Sequence, residues 1–144
     1  AGARAGKALL VDVEKMLYGA PGIDLAHATL YTSTTWDIDG GTALPRAAIQ
    51  GFYRDYLARI DQDLARRQAP WLLPLRRLTW LRTTTWAARY RVETLYRGKA
   101  GDPKSPYVRH VTERIADFLD ADTMARVRRE WLGPNPLALD DPAP

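Results

Sequence analysis

Between Ile49 and Leu64 the apolar residues Ile49, Phe52, Tyr53, Tyr56, Leu57, Ile60 and Leu64 recur three or four places apart. Since 3.6 residues complete an α-helical turn, that spacing lays them along one face. A helix with such a stripe is stable only when the stripe is buried, so the chain must pack this helix against other apolar elements. Pro45 stands just ahead, where a helix loses nothing by a missing N–H.

The rest of the chain supplies partners of the same kind. Ala69-Pro70 and Pro74 predict a break, followed by a long helix from about Leu75 to Arg97. Its expected inner face is Leu75, Leu78, Leu81, Thr85, Ala88, Val92 and Leu95, flanked by Trp80 and Trp86. Gly98 to Ser105 reads as a loop, and Ser105-Pro106 as a cap with its first helical residue. Val108, Val111, Ile115, Phe118 and Leu119 mark the next stripe. Asp120 or Asp122 caps a last helix with Met124, Val127 and Trp131, which Gly133 and Pro134 end.

The N-terminal end is different. Ala8–Val13 (ALLVDV) is a short apolar, β-branched run that reads as a buried strand, followed by a Gly/Pro loop at Tyr18–Gly22. Asp24 is placed to cap a helix from about Leu25 to Ser33, and Asp37–Thr42 (DIDGGT) reads as a turn. One strand cannot satisfy its own backbone, so it must pair outside itself, with upstream sequence as the expected partner. The chain begins at Ala1 rather than methionine, which fits a chain that is processed, excised or cut from a longer protein. The expected fold is therefore mainly α with a short β element at the N-terminus. Its parts are a strand, loop and first helix over residues 1–40, a helical body over 41–133, and a loose tail over 134–144.

With 144 residues, 46% hydrophobic and 26% charged, the chain has the make-up of one globular unit. It has no cysteine, which excludes disulfides and thiolate metal sites. No run approaches the roughly 18 apolar residues of a membrane span and no signal-peptide pattern opens the chain, so no membrane partner and a cytoplasmic location are expected. Eight arginines lie between Leu64 and Arg97 against one acid, Glu93. They read as a solvated helix face paired with acids on neighbouring helices. The competing reading is a non-catalytic helical binding module that offers this basic face to nucleic acid or an acidic partner. No helix-turn-helix or zinc-finger pattern accompanies the arginines, so nucleic acid is not the expected partner.

The chemistry concentrates in Leu10–Tyr31. Asp12 presents a carboxylate at the strand's exit, where a hard cation is readily held, although a turn or cap role is the commoner one for such a residue. Val11-Asp12, Gly19-Ala20-Pro21 and Asp24-Leu25-Ala26, with twelve positions from Asp12 to Asp24, resemble the magnesium-binding segment of choline kinases and aminoglycoside phosphotransferases. The resemblance covers some twenty residues. It implies the helical C-terminal lobe of a protein-kinase-like fold, with the N-lobe and catalytic loop absent from this chain. It further implies that Asp12 binds Mg²⁺ bridging the ATP phosphates and that Asp24 supports the catalytic loop, with Glu14 either a metal-adjacent acid or a solvent-facing strand residue.

On that resemblance the complete protein is an ATP-dependent phosphotransferase acting on a hydroxyl of a small-molecule alcohol acceptor. Its catalytic base would come from the missing N-terminal part of the same protein, so this chain alone is expected to be inactive. The helices after the metal segment would shape the acceptor pocket. Trp36, Asp37, Arg82 and Trp86 are its candidate residues, because aromatic rings cradle ammonium groups and acids pair with amino sugars. The plainer reading makes the tryptophans core residues. His27 reads as a packed helix histidine rather than a catalyst.

Overall fold

The computed structural model describes residues 19–139. Among them the chain is mainly helical and forms no strand: α1 (Gly22–His27), α2 (Tyr31–Thr34), α3 (Arg46–Arg59), α4 (Gln62–Tyr90) running into a π-helical turn (Arg91–Leu95), α5 (Pro106–Phe118) and α6 (Ala121–Leu132). The expected strand at Ala8–Val13 lies outside the described residues.

α4 is the spine. At 29 residues it spans about 43 Å, and three apolar clusters line up along it. Near its start, Leu72 packs with Ile49 and Tyr53 of α3 and with Leu137 and Leu139. Midway, Trp80 packs with Ala26, Leu30 and Val127. Towards its end, Ala87 packs with Val111, Ile115 and Phe118 of α5. Asp61 starts the helix cleanly, its carboxylate accepting from the Asp63 and Leu64 amides at 3.0 and 3.1 Å.

The expected break at the prolines does not occur, for α4 passes through both Pro70 and Pro74. An interior proline removes one backbone bond and ordinarily costs about 3 kcal/mol. The carbonyls left without a donor are those of Arg66 and Pro70, four residues back. Arg66, Pro70 and Pro74 are all exposed, so water can take the place of the lost donors. The break comes earlier instead. α3 stops at Arg59 and Ile60 is extended, so Leu64 belongs to α4 and the single stripe read from Ile49 to Leu64 is divided between two helices.

The inner face of α4 also differs from the expected one. Leu72, Arg76, Thr79, Trp80, Thr84 and Ala87 are buried, whereas Leu78, Leu81, Thr85, Ala88 and Val92 are exposed. Buried threonines are tolerated there because each hydroxyl bonds back into its own helix: Thr79 to the Leu75 carbonyl at 2.8 Å, Thr84 to that of Trp80 at 3.0 Å. α1 comes so close to this face that a Cβ on Gly22 would stand 2.7 Å from Leu75 Cδ1. Arg76, only 4% exposed, donates to Thr29 Oγ1 at 2.6 Å, while its Nε has no partner among the described residues.

The C-terminal half follows the sequence reading. α5 begins at Pro106 behind Ser105, although the serine hydroxyl makes no capping bond. Asp120 caps α6 through the Asp122 and Thr123 amides at 2.9 and 3.0 Å, and Gly133 ends it. Within the stretch read as a loose tail, Leu137 and Leu139 are buried against α3 and α4. Arg46 helps hold that stretch by donating to the Asn135 carbonyl at 2.9 Å.

Candidate functional site

α1, α2 and the end of α4 enclose an open cleft of about 330 Å³ lined by His27, Thr32, Ser33, Trp36, Thr83 and Trp86. Local sequence explains how these residues meet. α1 ends at His27, and after a short link α2 starts at Tyr31, so the one helix expected from Leu25 to Ser33 is two. The change of direction at Ala28–Leu30 lets residue 33 turn back on residue 27: His27 Nδ1 and Ser33 Oγ lie 3.0 Å apart. Beyond α2 the expected turn forms, with Asp37 Oδ1 accepting from the Asp39 and Gly40 amides at 2.9 and 2.6 Å. Its tightness depends on Gly41, where an added Cβ would lie 2.5 Å from the Asp37 carbonyl oxygen.

Trp36 is fixed on three sides. Its ring stacks near Phe118 with centroids 6.3 Å apart and meets Trp86 edge to face at 5.9 Å. Its carbonyl accepts from His110 Nε2 at 2.8 Å, and a carbonyl can only accept, so that nitrogen carries the proton. Trp86 is also close to Tyr90, at 5.3 Å between centroids. Aromatic rings held in this way need not be ordered when a ligand binds beside them.

Burial holds the His27 imidazole below its ordinary pKa, and the charge of Arg82 adds to that effect; Asp24 opposes both. The ring is therefore neutral at pH 7. Asp24 acts through its charge, and no carboxylate among the described residues hydrogen-bonds to the ring, so the His27–Ser33 pair lacks the orienting third group of a nucleophilic triad. Thr32 is buried in the cleft lining, and its hydroxyl has no hydrogen-bond partner among the described residues. Buried hydroxyls are nearly always paired, so this one is an unsatisfied polar atom beneath the cleft surface.

The structure brings together only some of the residues singled out from sequence. Trp36 and Trp86 line the cleft side by side. Arg82 is exposed and outside the lining, though its charge reaches His27. Asp37 spends its carboxylate on its own turn. Asp24 is not a cap, because Pro21 already has helical backbone angles and the helix starts earlier; Asp24 sits exposed in the first turn. Asp12 and Glu14 lie outside the described residues. Among those described, no three histidine, aspartate or glutamate side chains gather as a metal site would require.

Ser33, Thr32 and Thr83 were missed, and His27 was read only as packing. Thr83 and Trp86 are three apart on one helix and so share a face, a signal that was present in the sequence. The basic block does not present one surface. Arg76 is buried, Arg77 lies over the Trp131 ring at 5.6 Å and donates to its carbonyl at 3.1 Å, and Arg66 and Arg89 are paired with Asp63 and Glu93. No helix of the described residues is long and apolar enough to cross a membrane. No family model, no curated protein and no solved structure matches the chain.

Proposed function

We propose that this chain is the acceptor-binding, C-terminal helical part of an ATP-dependent phosphotransferase, and that the Trp36–Trp86 cleft receives the small-molecule alcohol. The observation carrying this reading is the contact of Trp36 with Trp86 in the wall of a cleft bordered by α1, the helix of the Asp24-Leu25-Ala26 motif. The motif with Asp12 and the mainly helical body behind it support the same reading.

In this reading the tryptophan rings hold an ammonium or apolar part of the acceptor by cation–π and contact attraction, worth about 0.5–2 kcal/mol per ring. The Ser33 hydroxyl, held by His27, gives the cleft one polar side, and neutral His27 adds no positive charge to repel a cationic acceptor. ATP and Mg²⁺ belong to the complete protein, where the metal would neutralise charge on the transferring phosphoryl group. Asp12, which the resemblance gives to the metal, is outside the described residues, so the steps assigned here are those of binding and orientation. Two arginines buried or turned inward and two in ion pairs favour this reading over a basic nucleic-acid module.

Titration of the chain with choline and with its neutral isostere 3,3-dimethylbutanol tests the cleft. Choline is expected to bind at least tenfold more tightly, and Trp86→Ala to abolish the difference. Equal binding of the two, or no binding of choline or of a 2-deoxystreptamine aminoglycoside, would overturn the acceptor role. In the complete protein, Asp12→Ala is expected to remove ATP-dependent transfer, and unchanged transfer would contradict the kinase reading.

A further inference from the structure

The outward face of α4 and of the π-helical turn that continues it carries a second apolar stripe, exposed among the described residues. Trp71, Leu78, Thr85 and Val92 are seven residues apart, and Leu81 and Ala88 repeat at the same interval between them. Trp71, Leu78, Leu81 and Val92 are 63%, 57%, 47% and 53% exposed. A seven-residue repeat of this kind is the seam of a two-helix coiled coil, in which each apolar side chain enters a hole on the facing helix. Solitary exposed apolar residues are ordinary, but an aligned row over three heptads marks an interaction surface.

Charge beside the seam specifies what can cover it. Arg82 and Arg89 directly follow Leu81 and Ala88, at the edge positions from which a coiled-coil partner is selected. Both are exposed. A second copy of this chain would bring arginine against arginine along the seam, and such like-charge pairs disfavour association. Arg89 is already paired with Glu93, so a helix with glutamate or aspartate at its edges would meet Arg82 directly and share Arg89 with that acid.

We propose that this face docks an amphipathic helix of another polypeptide, apolar along its seam and acidic along its edges. The proposal does not rest on the acceptor reading of the cleft, although the charge of Arg82 reaches His27 there. The probe is a fluorescein-labelled four-heptad peptide with leucine at the seam and glutamate at the edges, compared with the same peptide carrying lysine. Anisotropy with the full chain is expected to show low-micromolar binding of the glutamate peptide, at least tenfold tighter than the lysine peptide and weakened by salt. Leu78→Glu, an exposed substitution checked for retained helicity by circular dichroism, is expected to weaken binding at least tenfold. Arg82→Glu with Arg89→Glu is expected to reverse the preference between the two peptides. Absence of binding, equal binding of both peptides, or indifference to Leu78→Glu would overturn the proposal. So would a dimer of the chain alone that Leu78→Glu dissociates, since that result gives the face to a second copy.

Discussion

Along α4 the face turned towards the other helices is not purely apolar, and the face turned to solvent is not purely polar. The inner face buries Arg76, Thr79 and Thr84 beside Leu72, Trp80 and Ala87, while Trp71, Leu78 and Leu81 stand in solvent on the opposite side among Arg82, Thr85 and Arg89. The contrast shows that apolar content alone does not choose the inner face of a helix. The inner face is suited to close packing: small threonines return their hydroxyls to their own helix, and Gly22 lets α1 approach. The outer face is suited to a partner that is not part of this fold.

The largest effect expected from this contrast is between neighbours. Trp80→Ala empties the middle cluster, where the ring meets Trp131 edge to face at 5.1 Å and its Nε1 donates to Tyr31 Oη at 3.1 Å. It should cost about 3–5 kcal/mol, against less than about 1 kcal/mol for Leu81→Ala on the outer side. Urea unfolding of both variants measures this, and equal losses would erase the distinction between the faces.

An intermediate effect is expected at Arg76. Its guanidinium is buried without a carboxylate partner among the described residues and with Nε unpaired, so burial of its charge is poorly offset. Arg76→Met keeps the length of the side chain and should leave stability unchanged or raise it by about 1–2 kcal/mol. A fall of about 3 kcal/mol in the same titration would mean that the Thr29 bonds stabilise the inner face more than the charge disturbs it.

The smallest effect is a pH dependence where α1 borders the inner face. His27 has a folded pKa below its unfolded value of 6.5, chiefly through burial, so the unfolded chain takes up a proton first as pH falls. Its contribution is complete above about pH 6.5 and declines from there down to the folded pKa. His27→Gln should flatten this part of the curve when urea midpoints are compared at pH 7.5 and 5.5. An identical slope in the variant would assign the dependence elsewhere.

Much of the chain was legible from sequence because its signals are local. The Asp120 cap, the Gly133 stop, the Pro106 start and the Asp37 turn each depend on a few adjacent residues, and all of them form. The misreadings concern features that only the surroundings decide. Pro70 and Pro74 look like breakers until their place on the exposed side of the helix is known, where water can reach the freed carbonyls. α4 has apolar residues on two sides, and periodicity could not say which side faces α1 and α5. Leu137 and Leu139 follow a helix stop with no period of their own, so nothing nearby foretold their burial. The cleft was half visible. Trp36 and Trp86 were readable as aromatic candidates, but Ser33 reaches His27 only because the chain turns at Ala28–Leu30.

Since the chain has no cysteine, a single introduced thiol reports its own environment. Thiol labelling of Leu78→Cys and Thr84→Cys in the folded protein tests the assignment of the two faces of α4 most directly. The account predicts that the thiol at 78 reacts about as fast as a free thiol, and the one at 84 only as fast as the chain opens. Protection at 78 together with rapid labelling at 84 would contradict it, and would remove both the inner packing and the outer seam described above.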